Sequence, residues 1–298
     1  MMSHYQSEAL KILFSAIVRQ NVTPEVWNWL NDKVSQTDNF QQFNIAFVSV
    51  PRKTGKSPVR VTAEQENALS REGGGLTIAT WTIDRLCRVW LLTRLSSADK
   101  ARYFQTIENL FLTAEVGELV ALYSALPVLA YPEMWSKRCA EGIRSNIGAA
   151  LEAIMCNNPY PAAYLNEQAW NQLVLKAFFT EKPVEQIIGL DVRANSDLAK
   201  TLSDYAHERW AANRPVNPQI WRCTGKFINA DIFPDIERLA SSEHDFEREA
   251  AALACSDSHY PPAQELLNKM PGIKSSITSG DLNWNILAEK IKNHVLQQ

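Results

Sequence analysis

Apolar residues recur along this chain every three to four positions, in short runs separated by polar or proline-marked breaks. Leu10, Leu13, Phe14, Ile17 and Val18 share one face and predict a helix over 7–19. Thr23-Pro24 reads as a cap and first-turn proline ahead of Val26, Trp27 and Leu30. A third apolar run, 40–50, is expected to stop at Pro51, which has no N–H to donate. Thr62 and Gln65 have the spacing of a capping box. Further helical runs follow at 81–95, from a Ser97 cap to Phe111, at 114–126 and at 140–156. The only alternating stretch, 59–61, is too short for a strand.

The second half keeps the same period. Asn158-Pro159-Tyr160-Pro161 is a rigid connector, because each proline fixes its own φ and bars helix before it. Asn166 caps a helix that turns Trp170, Leu173, Val174, Ala177 and Phe178 inward. A long helix starts at Ser196, and Pro215 and Pro218 frame a short one that carries Trp221 and Arg222. Beyond it, 246–267 has the look of a repeat unit: helix, polar turn, helix. The predicted fold is therefore all-α, a multi-helical array of short antiparallel helices, HEAT/armadillo-like in the C-terminal part. One domain over 1–298 is expected, with an N-terminal half 1–156 and a C-terminal half 157–298.

Composition narrows the function. With 46% hydrophobic residues in 298, the chain has ample core material. A net charge of -3 argues against a nucleic-acid partner, which would call for a basic patch. The five cysteines are scattered and form no C-x-x-C, so reduced thiols in a cytoplasmic protein are expected. The N-terminal MMSHYQSEAL has neither the basic nor the apolar region of a leader, and no run approaches the roughly 18 apolar residues of a membrane span. Gly55-Lys56-Ser57 suggests a phosphate loop, but that motif needs a glycine where Val50 stands. A single Asp-x-x-His falls short of a metal site, and no cofactor motif occurs, so neither metal nor cofactor is expected.

Two clusters carry candidate chemistry. Arg85 and Arg88 stand on an otherwise apolar helix, and a buried arginine needs partners, either acids on neighbouring helices or a polar pocket. The richer stretch is 157–227. Trp170 and Trp221 are candidate walls of a ligand pocket, with Asn171, Arg193 and Asn195 as polar anchors. Asn158, Tyr160, Lys176, His207, Arg209, Arg214 and Arg222 complete the candidate ligand-binding set. The same residues equally suit plain architecture, tryptophans filling gaps and arginines pairing with acids. His207 shares a helix face with Asp204 and Glu208, so a general acid/base with a carboxylate beside it is the catalytic alternative.

Several blocks also resemble a known family. They are 113–123 (TAEVGELVALY), 140–146 (AEGIRSN), 157–161 (NNPYP), 169–177 (AWNQLVLKA), 193–195 (RAN), 204–212 (DYAHERWAA), 214–216 (RPV) and Trp221-Arg222. In these the chain resembles EboA, a component of the bacterial ebo gene cluster. The resemblance implies a role in secondary-metabolite traffic, with a small precursor or other ebo-cluster proteins as partners. It supplies no catalytic residues. The leading expectation is a non-catalytic protein that binds a small molecule or a partner. The alternatives are an enzyme using His207 and a helical-repeat scaffold for other cluster proteins.

Overall fold

A computed structural model describes residues 4–37 and 39–295. The first three residues of the stretch read for a leader lie outside the described residues. Among the described residues the secondary structure is helical, with one isolated bridge between Pro58 and Thr82 and no strand. The chain divides into two compact units, Met1–Trp170 and Asn171–Gln298.

The first unit is built around the helix Ile83–Thr93. From Leu86 to Thr93 every residue is buried, and the helices His4–Asn21, Phe40–Thr54 and Val116–Ala125 pack on it. An apolar circumference explains this, since such a helix is stable only inside a core. Trp90 packs at a tilt against Trp27, with ring centroids 5.3 Å apart, and donates its indole N–H to Ser15 Oγ at 2.9 Å. The caps at Thr23 and Thr62 form as the sequence indicates, and Gln65 completes the Thr62 box in both directions. The cap before Lys100–Thr113 is Asp99 rather than Ser97, because the Asp99 carboxylate accepts from Arg102 N at 3.0 Å.

Pro51 does not end its helix, which continues to Thr54. Proline there removes the N–H that would have bonded to the carbonyl of Phe47. Arg88 Nε takes that carbonyl instead, at 3.0 Å. The same guanidinium reaches Asp84 Oδ2 at 3.4 Å on its own helix and Glu118 Oε1 at 3.5 Å on the next. Arg88, Asp84 and Glu118 are all buried, so the arginine is paired between neighbouring helices. Arg85 donates to Ser124 Oγ at 2.7 Å and lies over the Trp81 ring. Burial lowers its guanidinium to about 10, which leaves it charged at neutral pH.

The second unit is organised by the helix Asp245–Asp257. Ala250 to Cys255 are all buried, and the small side chains let several neighbours approach at once. The helices Phe233–Ala240, Pro261–Asn268, Pro271–Ser279 and Trp284–Val295 and the 3-10 helix Pro218–Cys223 surround it. Closeness is extreme at Gly225, where an added Cβ would come within 2.9 Å of the Ala254 carbonyl oxygen. Among the described residues, no helix is long and apolar enough to cross a membrane.

Candidate functional site

The residues nominated from sequence fall in both units. In the first, Asn158 is buried and fully used. Its amide nitrogen donates to the carbonyls of Ala153 at 2.8 Å and Tyr123 at 3.1 Å, and its oxygen accepts from Tyr160 N. Tyr160 is buried too, donates its hydroxyl to the Pro132 carbonyl and stacks on Tyr164. Burial drives its phenol well above the ordinary range. Trp170 is fully buried.

In the second unit the nominated residues form three groups. Asn171 and Asn195 exchange reciprocal amide bonds at 3.1 and 2.9 Å. Asn195 also caps the helix Ser196–Ala211 by accepting from Leu198 N, and it donates to the Arg193 carbonyl. Arg193 and Lys176 are half-buried, Arg214 is exposed, and Arg209 doubly donates to the Pro215 carbonyl at 3.0 and 2.8 Å.

Arg222 makes the second group. Its fork grips both carboxylate oxygens of Asp191 at 2.5 and 2.7 Å, while Nη1 donates to Asn285 Oδ1 at 3.0 Å. One guanidinium thus fixes a loop, the 3-10 helix and the start of Trp284–Val295 in one geometry.

The third group centres on a residue that the sequence reading missed. His207 binds neither Asp204 nor Glu208, which are exposed beside it; its Nε2 lies 2.6 Å from Oδ1 of the buried Asp235. Ser203 Oγ donates to Oδ2 of the same carboxylate at 2.6 Å. Neighbouring acids on the helix face are free to stay in water, whereas a buried carboxylate must find donors. A clue was present: Asp235 interrupts the core-facing row Ile232, Ile236, Leu239. Trp210 lies beside His207, stacks on the buried Trp221 at 5.9 Å and carries Arg238 over its face at 4.2 Å.

An open cleft of about 410 Å³ lies in this unit, lined by the turn 181–186, by Asn217 and Gln219, and by Ala288, Ile291 and Lys292 of the last helix. None of these was nominated, because they come from three distant stretches. Gln219 is the notable member. It is 2% exposed, donates Nε2 to the Trp284 carbonyl at 2.9 Å, and leaves Oε1 buried with no partner among the described residues. An unmet buried acceptor costs about 1–3 kcal/mol. The indole N–H of Trp221, two residues on, is also buried without a partner. Among the described residues no three His, Cys, Asp or Glu converge as metal ligands.

No curated protein and no solved structure matches the chain. A family model described as metabolite traffic protein EboA matches residues 10–225. That match takes in most of the first unit and, within the second, the Asn171–Asn195 pair, Asp191, Arg222 and Gln219, and it shows that the chain belongs to the EboA family.

Proposed function

We propose that this protein binds a small metabolite precursor and passes it on unchanged during metabolite traffic. The observation that carries this reading is the open cleft of about 410 Å³, whose lining mixes apolar and polar side chains. Small-molecule sites combine an apolar lining with a few placed polar groups, in volumes of about 300–1,000 Å³. Here Pro183, Ala288 and Ile291 give the apolar part, and Gln186, Asn217 and Lys292 are among the polar groups. The nominated residues of this unit serve as its frame. Arg222 holds three segments together, and Asn171 and Asn195 lock the start of the long helix. The step belongs in the cytoplasm, where the five free cysteines stay reduced. Receiving and handing over cargo would bring in other ebo-cluster proteins.

Native mass spectrometry of protein purified from its own producing cells tests this. A reproducible small-molecule adduct, displaced on denaturation, is expected. Chain mass alone, together with no calorimetric signal against an extract of the same cells, would end the carrier reading.

A second reading has one observation in its favour. A carboxylate holding one nitrogen of an exposed imidazole is the arrangement of a general base. It requires that His207→Ala abolish turnover of a metabolite while the fold survives. Uptake of the adduct that persists in His207→Ala, with no turnover in the wild type, decides for the carrier.

A further inference from the structure

We propose that the outer face of the helix Phe40–Thr54, with the turn that follows it, docks on an anionic lipid surface. The net charge of -3 is unevenly placed: residues 39–63 hold Arg52, Lys53, Lys56 and Arg60 and no aspartate or glutamate. All four cations are exposed, and none of their side chains joins an ion pair among the described residues. Ile45 and Val48 are 58% and 44% exposed on the same helix. Their spacing puts Ile45, Val48 and Arg52 on one face, opposite the buried Phe43, Phe47 and Val50. Pro51 does not interrupt that face, since Arg88 takes up the Phe47 carbonyl and the helix runs on to Thr54. The turn beyond is anchored: Val59 N donates to the Trp81 carbonyl and Ile83 N to the Ser57 carbonyl, each at 2.9 Å, and Asn21 bonds the backbone of Arg60 in both directions. Lys56 and Arg60 therefore stand on a fixed backbone.

Two simpler roles fall short. Cations in a last helical turn favour the helix dipole, which accounts for Arg52 and Lys53. It does not account for Lys56 and Arg60 beyond the helix end, or for two aliphatic side chains left in water. A polyanionic chain such as nucleic acid would use the cations and leave Ile45 and Val48 idle. A lipid surface uses both kinds of group: its headgroup charge attracts lysine and arginine, and shallow insertion removes the aliphatic side chains from water. The inference does not rest on the carrier reading, since it concerns the first unit and needs no cargo.

Co-sedimentation of the full chain with lipid vesicles tests the claim. The wild type is expected to sediment with vesicles that contain phosphatidylglycerol and to stay in solution with phosphatidylcholine alone, and added salt should weaken the binding by screening. Replacing Arg52, Lys53 and Lys56 together by Gln should weaken it at least about tenfold, since each cation near an anionic surface contributes a factor of roughly five. Ile45→Ser with Val48→Ser, every charge kept, should weaken it several-fold. Replacing Lys200, Lys269 and Lys274, exposed in the second unit, by Gln removes the same charge elsewhere and should change it little. No binding to anionic vesicles, equal binding to both vesicle types, or an equal loss in the second-unit variant would overturn the docking face. Undiminished vesicle binding by the serine variant, with wild-type affinity for a DNA duplex or polyglutamate, would give the face to an acidic macromolecule instead. All these positions are exposed, and the two vesicle types compared on the wild type decide even where a variant fails to fold.

Discussion

Asp235 Oδ1 lies 2.6 Å from His207 Nε2, across 28 residues of sequence. The carboxylate oxygen accepts, so the proton of that bond sits on Nε2. With Ser203 on the other oxygen, one buried side chain ties the helix Ser196–Ala211 to Phe233–Ala240. Removing it strands a buried serine hydroxyl and frees the imidazole. Asp235→Ala is expected to cost about 1–3 kcal/mol, and Asp235→Asn less, since the amide oxygen still accepts from Ser203. Urea midpoints of the three proteins measure this; an Asp235→Ala midpoint equal to the wild type would show that the node bears no structural load.

Arg88 presents the opposite case, a buried cation between two buried acids. Arg88→Met leaves Asp84 and Glu118 without their counter-ion and is expected to cost about 3–5 kcal/mol. Replacing all three with Met, Leu and Leu should return most of that loss, because packed apolar side chains carry no desolvation penalty. Chemical denaturation of the single and triple variants separates the two effects. A triple variant as unstable as the single one would mean that the bond to the Phe47 carbonyl matters more than the charges.

Alkali should destabilise the fold through its buried acids. Thiols of the unfolded chain ionise near 9.0, whereas burial holds Cys87, Cys223 and Cys255 to about 12. Tyr103 and Tyr123 move from 10.0 to about 12 for the same reason. Over that window the unfolded chain carries fewer protons than the folded one. Stability is therefore complete below about pH 9 and declines as pH climbs toward 12. Melting temperatures taken from pH 8 to 11 should fall steadily, and a thiol reagent at pH 8 should leave Cys87, Cys139, Cys223 and Cys255 untouched until the protein is unfolded. Rapid modification of any of these four would contradict their burial.

Gly142 marks the closest packing in the first unit. A Cβ there would meet Ile154 Cδ1 at 2.5 Å and Tyr123 Cζ at 2.6 Å. Gly142→Ala gains helix propensity but overpacks the core, and the second effect wins: a net loss of about 1–3 kcal/mol is expected. A calorimetric melt at or above the wild-type temperature would show that the two side chains retreat freely.

Arg222→Lys tests the frame of the cleft. Lysine keeps the charge but offers no fork, so Asp191 and Asn285 cannot be held together. A weaker small-molecule adduct in native mass spectrometry, with little loss of stability, is the expected result; an undiminished adduct would separate the fork from the cleft.

Helix periodicity and caps were readable in the chain because they are local. Thr23-Pro24 and the Thr62–Gln65 box each need only residues within one turn. Pro51 was misread as a stop because its rescue is tertiary: Arg88, from another helix, occupies the carbonyl that the proline leaves open. The carboxylate facing His207 was sought one turn away, at Asp204 or Glu208, but comes from Asp235. A helix wheel ranks neighbours by angle and has no term for burial, which is what makes Asp235 need donors. The cleft was invisible for the same reason, since its lining is assembled from 181–186, 217–219 and 288–292. The indole rings of Trp170 and Trp221 look alike on paper as wall or as filling, and both are wholly enclosed.

The family model matches residues 10–225, whereas Ala288, Ile291 and Lys292 of the cleft lining lie beyond them. On the carrier reading proposed above, substitutions on that last helix would alter what the cleft takes up while leaving every residue of the matched stretch unchanged.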